Sequence, residues 1–307
     1  MTGDPTESEA GAHPTGPEAG PHPTLPEAGP HPTLPEPGPH PTGPAAGAHA
    51  ITAAKRDPNA LDQFVFLARR SFLRVIRQPS QLFFPLLFPL MLLLFNSQGL
   101  SNVVKLQGFP AQRYIDFALA STFFYGAANL ATSAGSNLAI DISTGFLDRM
   151  RLTPVSGPIL LLGHWAGLLG VALLNGCVYL FVGRLLGAHI AAGWAGVPAI
   201  LGLGVLVAAF FTGLGSWLAL KVGTTEAVEG LFPIFFALLF LSSSNFPRQL
   251  MKVQWFKAVA TANPLSYAIE AIRSVFITGW DGQALTRGLV ILLVGIAVVL
   301  TLGARAA

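Results

Sequence analysis

The sequence predicts an all-α integral membrane protein with six transmembrane helices, an amphipathic interfacial helix ahead of them, and a short polar island between the second and third spans. Three observations predict it. Of 307 residues, 52% are apolar and only 11% charged, whereas a soluble globular domain carries about 25% charged residues. The mean hydropathy is +0.57. Apolar stretches of about 20 residues, enough to cross a hydrocarbon core about 30 Å thick, recur six times between residues 80 and 304.

Charge is segregated along the chain. Residues 1–54 hold six acidic residues and no Lys or Arg, so all 18 basic residues and nine of the 15 acids fall in 55–307, a net +9 there. The bases are scattered rather than gathered into a nucleic-acid footprint, which argues against such a partner. The single cysteine, Cys177, lies in an apolar run and has no internal disulfide partner.

Residues 1–54 are expected to be a disordered tail. They repeat every nine residues, most clearly as AGPHPTLPE at 19–27 and 28–36, with His13, His22, His31, His40 and His49 marking the register. Thirteen of the 24 prolines fall in the first 50 residues. Proline at this density favours extended polyproline II, and no apolar core is present. Nine-residue spacing sets successive histidines about 28 Å apart in such a chain, so no metal site is preformed. The segment has neither the basic opening nor the early apolar run of a secretory signal.

Over 55–79 an amphipathic helix is expected. Leu61, Phe64, Val65, Ala68, Phe72, Val75 and Ile76 follow helical spacing, while Arg70, Arg74 and Arg77 share another face. A basic helix with aromatic residues opposite suits the head-group region of a bilayer. A soluble helix shows the same pattern, but the span that follows favours the interface.

The remainder, 80–307, is expected to be one transmembrane domain with spans at 80–100, 115–140, 159–186, 195–221, 227–245 and 284–304. Pro85 and Pro89 predict a kink in the first. The second carries Ser121, Thr122, Asn129, Thr132, Ser133, Ser136 and Asn137, residue types that pack helix against helix in lipid or line a polar path. Six basic residues precede the first span, and positive charge before the first span usually sets orientation. Both termini are therefore expected in the cytoplasm.

Between the second and third spans lies DISTGFLDRMRLTPVSGP, residues 141–158. Phe146, Leu147, Met150 and Leu152 alternate with Asp148, Arg149 and Arg151, as in a short amphipathic helix ended by Pro154. Such a helix lies flat on a membrane surface or docks into a partner protein. The connection 246–283 is too long for a turn and too polar for a span. Within it Asn263-Pro264 reads as a helix start, followed by the stripe Leu265, Ile269, Ile272 and Phe276. This predicts re-entrant or surface-lying helices that cap the bundle.

Two stretches carry a likeness. GFLDRMRLTPVSGPILLLG (145–163) resembles the cytoplasmic loop of type-2 ABC exporter permeases, and NPLSYAIEAIR (263–273) resembles the segment before their last helix. Within that family the chain looks most like the daunorubicin-resistance type of drug-efflux permease. The resemblance implies a multi-pass permease of the cell membrane that pairs with a second copy or a similar subunit. It also implies drive from two copies of a separate ATP-binding subunit, which holds the ATP and Mg; no cofactor is expected on this chain itself. Phe146, Leu147, Asp148, Arg149, Met150, Arg151 and Leu152 would then form the cytoplasmic coupling helix, with Glu226 and Glu229 a second contact. Asn263, Pro264, Tyr267, Glu270 and Arg273 would belong to an outer re-entrant segment. The implied cargo is an amphipathic drug-like compound or lipid, with polysaccharide or glycolipid export as the alternative. Gly157 departs from the family, which often has a basic residue there.

The sequence also suggests a missing motor. None of the five lysines follows a glycine, as a phosphate-cradling P-loop requires. An ion-coupled transporter would need acids near midspan, yet Asp141, Glu226 and Glu229 all lie at span ends. Asp141 is a functional candidate as an ionisable residue in a span, although near an end it reaches water. Glu226 and Glu229, read as opening the fifth span, are also explained by the helix dipole. His164 and His189 are lone and read as hydrogen-bonded or interfacial rather than ligands. Asn129, Asn137 and Asn175 read as interhelical hydrogen bonds. No Ser/His/Asp set and no Cys/His metal spacing occurs in the spans, so no catalytic or metal site is expected.

Overall fold

In lipid a chain can leave no backbone polar group unpaired, so long apolar runs become helices. The computed structural model of the protein describes residues 65, 68–70, 72, 73, 77, 79–145, 157–230 and 232–306, and these contain helices and no strand. The repeat tail, most of the 55–79 helix and the island residues 146–156 lie outside the described residues. Every described residue belongs to one compact unit, Arg56–Ala307.

The elements are α1 (Pro79–Gly99), a 3-10 helix (Ser101–Lys105), α2 (Tyr114–Ser143), α3 (Gly157–Leu185) and α4 (Gly196–Val222). They are followed by α5 (Thr225–Glu229), α6 (Phe232–Phe240), a second 3-10 turn (Arg248–Leu250), α7 (Gln254–Ala262), α8 (Pro264–Ile277) and α9 (Gly282–Ala306). α1 carries through Pro85 and Pro89 as one helix. Gly163–Leu185 of α3, all of α4 and all of α9 are long and apolar enough to cross a membrane, and Leu86–Gly99 of α1 forms a shorter apolar helix. α2 is longer than any of them, but its Ser, Thr and Asn residues make it less apolar.

α2 is the central post. It packs against α1, α3, α4, α5, α6 and α8, and its residues from Tyr114 to Ala128 are all buried. Small residues let the neighbours approach closely. A Cβ on Gly215 of α4 would sit 2.7 Å from the Ala131 carbonyl carbon of α2, and closer still to its oxygen. On α3, Gly176 and Gly183 leave room for Phe123 and Leu119 of α2.

The same contacts give the helix directions. Phe123 lies level with Gly204 and Ala131 with Gly215, so α2 and α4 run parallel. Leu119 meets Gly183, and Tyr179 meets Gly126, so α3 runs opposite to both. α6 also opposes α2, with Tyr125 against Phe236 and Ser121 against Ser244 further along. Gly295 against Phe210 and Val299 against Gly213 set α9 parallel to α4. Gly145, Gly157, the start of α5 and the end of α9 therefore share one end of the bundle, and residues 101–113 and 186–195 lie at the other.

The region expected as a single fifth span, 227–245, is in two pieces. α5 has five residues and α6 nine. Nine helical residues rise about 13 Å, less than half of a hydrocarbon core about 30 Å thick. α6 stops at Ser242-Ser243-Ser244, where the Ser242 hydroxyl donates back to the Leu239 carbonyl. Serine competes in this way with helix continuation.

α7 and α8 form a helical hairpin with Asn263-Pro264 at its tip. Of the expected stripe, Ile269, Ile272 and Phe276 are buried and Leu265 is half-buried. The buried face is wider than that stripe and includes Ala268, Ala271 and Val275, because α2, α4 and α9 close on α8 together.

Candidate functional site

The densest set of polar contacts inside the bundle joins α2, the end of α6 and α8. Arg273 of α8 is 5% exposed. Its Nε donates to the Phe117 carbonyl at 3.3 Å, and Nη2 donates to Ser121 Oγ at 3.4 Å and to the Ser244 carbonyl at 3.0 Å. The guanidinium stacks 3.5 Å from the Phe117 ring centre. Ser121 Oγ also donates to the Ser244 carbonyl at 2.8 Å. Tyr125 Oη lies 3.0 Å from Ser244 Oγ, and Tyr114 Oη donates to the Asn245 carbonyl at 3.0 Å. Two turns earlier on α8, Ser266 Oγ accepts the Ser243 N–H at 3.0 Å, and Ser243 Oγ donates to the Ser266 carbonyl. The backbone freed where α6 stops is thus taken up by side chains of α2 and α8.

The other residues singled out on α8 serve the same hairpin. Asn263 caps α8, its Oδ1 accepting the Leu265 N–H at 2.9 Å, with Pro264 next at the first turn. Its Nδ2 donates to the carbonyls of Leu238 at 2.9 Å and Leu241 at 3.5 Å, which ties the hairpin tip to the last turn of α6. Glu270 receives Arg248 in a two-pronged pair, Nε to Oε1 at 2.8 Å and Nη2 to Oε2. Arg248 also stacks 4.4 Å from the Tyr267 ring, whose hydroxyl donates to the Thr261 carbonyl. Burial lowers the Arg248 pKa, but bonds and charge from Glu270 and Tyr267 outweigh this and hold it above its ordinary value. Asn263, Tyr267, Glu270 and Arg273 are thereby brought together as the anchors of one hairpin.

Glu226 and Glu229 stand apart from them. Both are exposed on α5, whose Val228 is buried against Gly135 of α2. Glu226 lies in the first turn and accepts from Thr225 Oγ1 at 3.2 Å. Glu229 instead ends α5, so the helix dipole explains Glu226 and not Glu229. All seven residues expected to form a coupling helix, 146–152, lie outside the described residues. At the flanks, Gly145 closes α2 with a φ of +65° and α3 opens at Gly157. Asp141, near that end of α2, is buried and receives Arg70 at 3.5 Å. His164 Nε2 lies 3.2 Å from the Ala134 carbonyl, joining α3 to α2. His189 contributes its backbone N–H, to Asp116 at 2.8 Å. Asn129 bonds within its own helix, to Tyr125 O, rather than across helices. Among the described residues no group of three or more His, Cys, Asp or Glu could hold a metal.

The sequence reading missed Ser242–Ser244, Arg248, Phe117, Tyr114 and Tyr125. A run of three serines inside an otherwise apolar stretch was the available signal for the break in the fifth span. Arg248 had none, since its partner lies 22 residues away.

Three apolar helices of spanning length, packed through small residues around a buried arginine and a broken helix, define a helical membrane protein. The profile described as "ABC-2 type transporter" matches residues 62–277, and the chain belongs to that family. It is 28% identical over 169 residues to the daunorubicin resistance ABC transporter permease protein DrrB1 of Streptomyces coeruleorubidus. That alignment covers 53% of this chain and 58% of the relative's length.

Proposed function

We propose that the chain is the membrane-spanning permease subunit of an ATP-driven exporter, moving an amphipathic drug-like compound or lipid out of the cell. The observation that carries this reading is the family match across residues 62–277, which takes in α1 to α6 and the hairpin and ends ahead of α9. The similarity to a daunorubicin resistance permease supports export and an amphipathic cargo. In this reading the chain crosses the cell membrane six times with both termini in the cytoplasm; the alternating directions of α1, α2, α3, α4, α6 and α9 support that topology. The α7–α8 hairpin dips into the membrane from the outer side and fills the depth that α6 leaves unspanned.

ATP and Mg are held by two copies of an ATP-binding subunit, and two permease chains complete the channel. Phe146–Leu152 docks on the ATP-binding subunit, and the exposed Glu226 and Glu229, at the same end of the bundle as Gly145 and Gly157, make a second contact with it. The test is co-expression with an ATP-binding subunit encoded in the same genome, followed by reconstitution in vesicles. ATP-dependent movement of daunorubicin or a labelled phospholipid is the expected result. Movement of a labelled glycolipid alone would shift the cargo to the glycolipid class. Co-purification of the two subunits with no ATP-driven movement of any of the three would refute the exporter reading.

A further inference from the structure

Between the hairpin and the bundle lies a cavity of about 390 Å³ that the polar contacts above leave unfilled. Its inner wall is Phe210, Phe211 and Leu214, close to the midpoint of α4, with Phe235 and Leu238 of α6 beside them. The outer wall is the end of α7 and the hairpin tip, including Val259 and Asn263. The volume falls within the range of about 300–1,000 Å³ typical of small-molecule sites.

We propose that this cavity binds the apolar, ring-bearing part of the exported compound, taken in sideways from the bilayer between α6 and α7. Four observations carry it. The lining contains no charged residue. Its one polar side chain, Asn263, already accepts from Leu265 and donates to Leu238 and Leu241, so the walls suit an occupant without polar groups. Three phenyl rings face the space, with Phe211 edge-on to both Phe210 and Phe235 at 5.4 and 5.9 Å; aromatic rings prefer this geometry with one another, and a planar ligand extends it. Finally, Leu238 and Val259 at the mouth are 44% and 39% exposed, at a depth near the middle of a membrane-spanning helix, where the surrounding solvent is hydrocarbon.

The cavity also has one light wall. Ala260 is the only buried residue of α7, and the main contacts of that helix are with α8 and the Arg248–Leu250 turn. α4, α6 and α8 are held by the core, so α7 is the wall that yields as a ligand enters. That the occupant is cargo rests on the exporter reading; that the site takes apolar rings does not.

The test uses the full-length chain alone, in phosphatidylcholine nanodiscs, with 1-azidopyrene as photolabel and peptide mapping as readout. Label is expected on the segments holding Phe210–Leu214 and Val259–Leu265, displaced by excess pyrene. Leu214→Trp and Ala262→Phe fill the cavity from opposite walls. Each should cut that labelling about tenfold, equivalent to about 1.4 kcal/mol of binding, while Ile234→Phe on the exposed face of α6 labels as the wild type does. Ala262 is exposed, so its variant keeps the test open if Leu214→Trp does not fold. Labelling that is unchanged in the filled variants, or spread evenly round the bundle, overturns the site. A phosphatidylcholine carrying an acyl-chain diazirine supplies a second arm: if it labels the cavity and pyrene does not compete, a resident lipid tail is the occupant and the assignment to cargo fails. A wild-type chain that labels as expected but drives no export with its ATP-binding subunit refutes the exporter reading and leaves the apolar site standing.

Discussion

Replacing Arg273 tests what its buried charge contributes. The 3.0 Å bond to the Ser244 carbonyl has ordinary length, and those to Phe117 O and Ser121 Oγ, at 3.3 and 3.4 Å, are long. A bond from a charged donor contributes about 2 kcal/mol net, and the two long ones together are taken here as about 1. The stacking on Phe117, shielded from solvent, adds about 2 kcal/mol. Against this total of about 5 stands the cost of burying a cation, itself several kcal/mol. The two nearly cancel. The acceptors also have other partners, since Phe117 O lies inside α2 and Ser244 O accepts from Ser121 Oγ. Arg273→Met therefore orphans none of them and is expected to unfold within about 1 kcal/mol of the wild type. Arg273→Lys keeps the burial cost but loses the planar fork and its stacking, and should be destabilised by about 3 kcal/mol. Thermal unfolding of monodisperse, detergent-solubilised protein ranks the three. A Lys variant as stable as the Met variant would refute the reasoning, because a buried ammonium without the planar fork and its stacking would then carry no net cost.

Gly215→Ala forces a methyl into the Ala131 backbone and should lose about 1–3 kcal/mol in the same assay; Gly202→Ala, with nothing within 4 Å, should be neutral or slightly stabilising. Glu270→Gln leaves the half-buried Arg248 without its carboxylate, an expected loss of about 1–3 kcal/mol, and protease cleavage between 246 and 263 should become faster. For the island, Arg149→Lys combined with Arg151→Lys retains charge but not the two-pronged geometry. That variant should insert normally and export poorly, and Met150→Ala should weaken co-purification with the ATP-binding subunit. Wild-type behaviour of both would make the island a simple connector.

The chain's own letters determined where most helices lie. Spans expected at 115–140, 195–221 and 284–304 appear as Tyr114–Ser143, Gly196–Val222 and Gly282–Ala306. In lipid a helix satisfies its own backbone, so its limits depend on the length of the apolar run and the punctuation at its ends. The start of α8 at Asn263-Pro264 was legible for the same reason, since capping involves neighbours two residues apart. Partners across the bundle were not. Arg273 meets Phe117 across 156 positions and Glu270 meets Arg248 across 22, and no local pattern records either pairing. The break in the fifth span belongs to the same class. Nine apolar residues followed by serines read equally well as the end of a longer span, until α2 and α8 supply side chains for the backbone the break exposes. Tertiary structure alone decided that α6 stops short, that Asn263 ties its end to the hairpin, and that an apolar cavity opens beside the join.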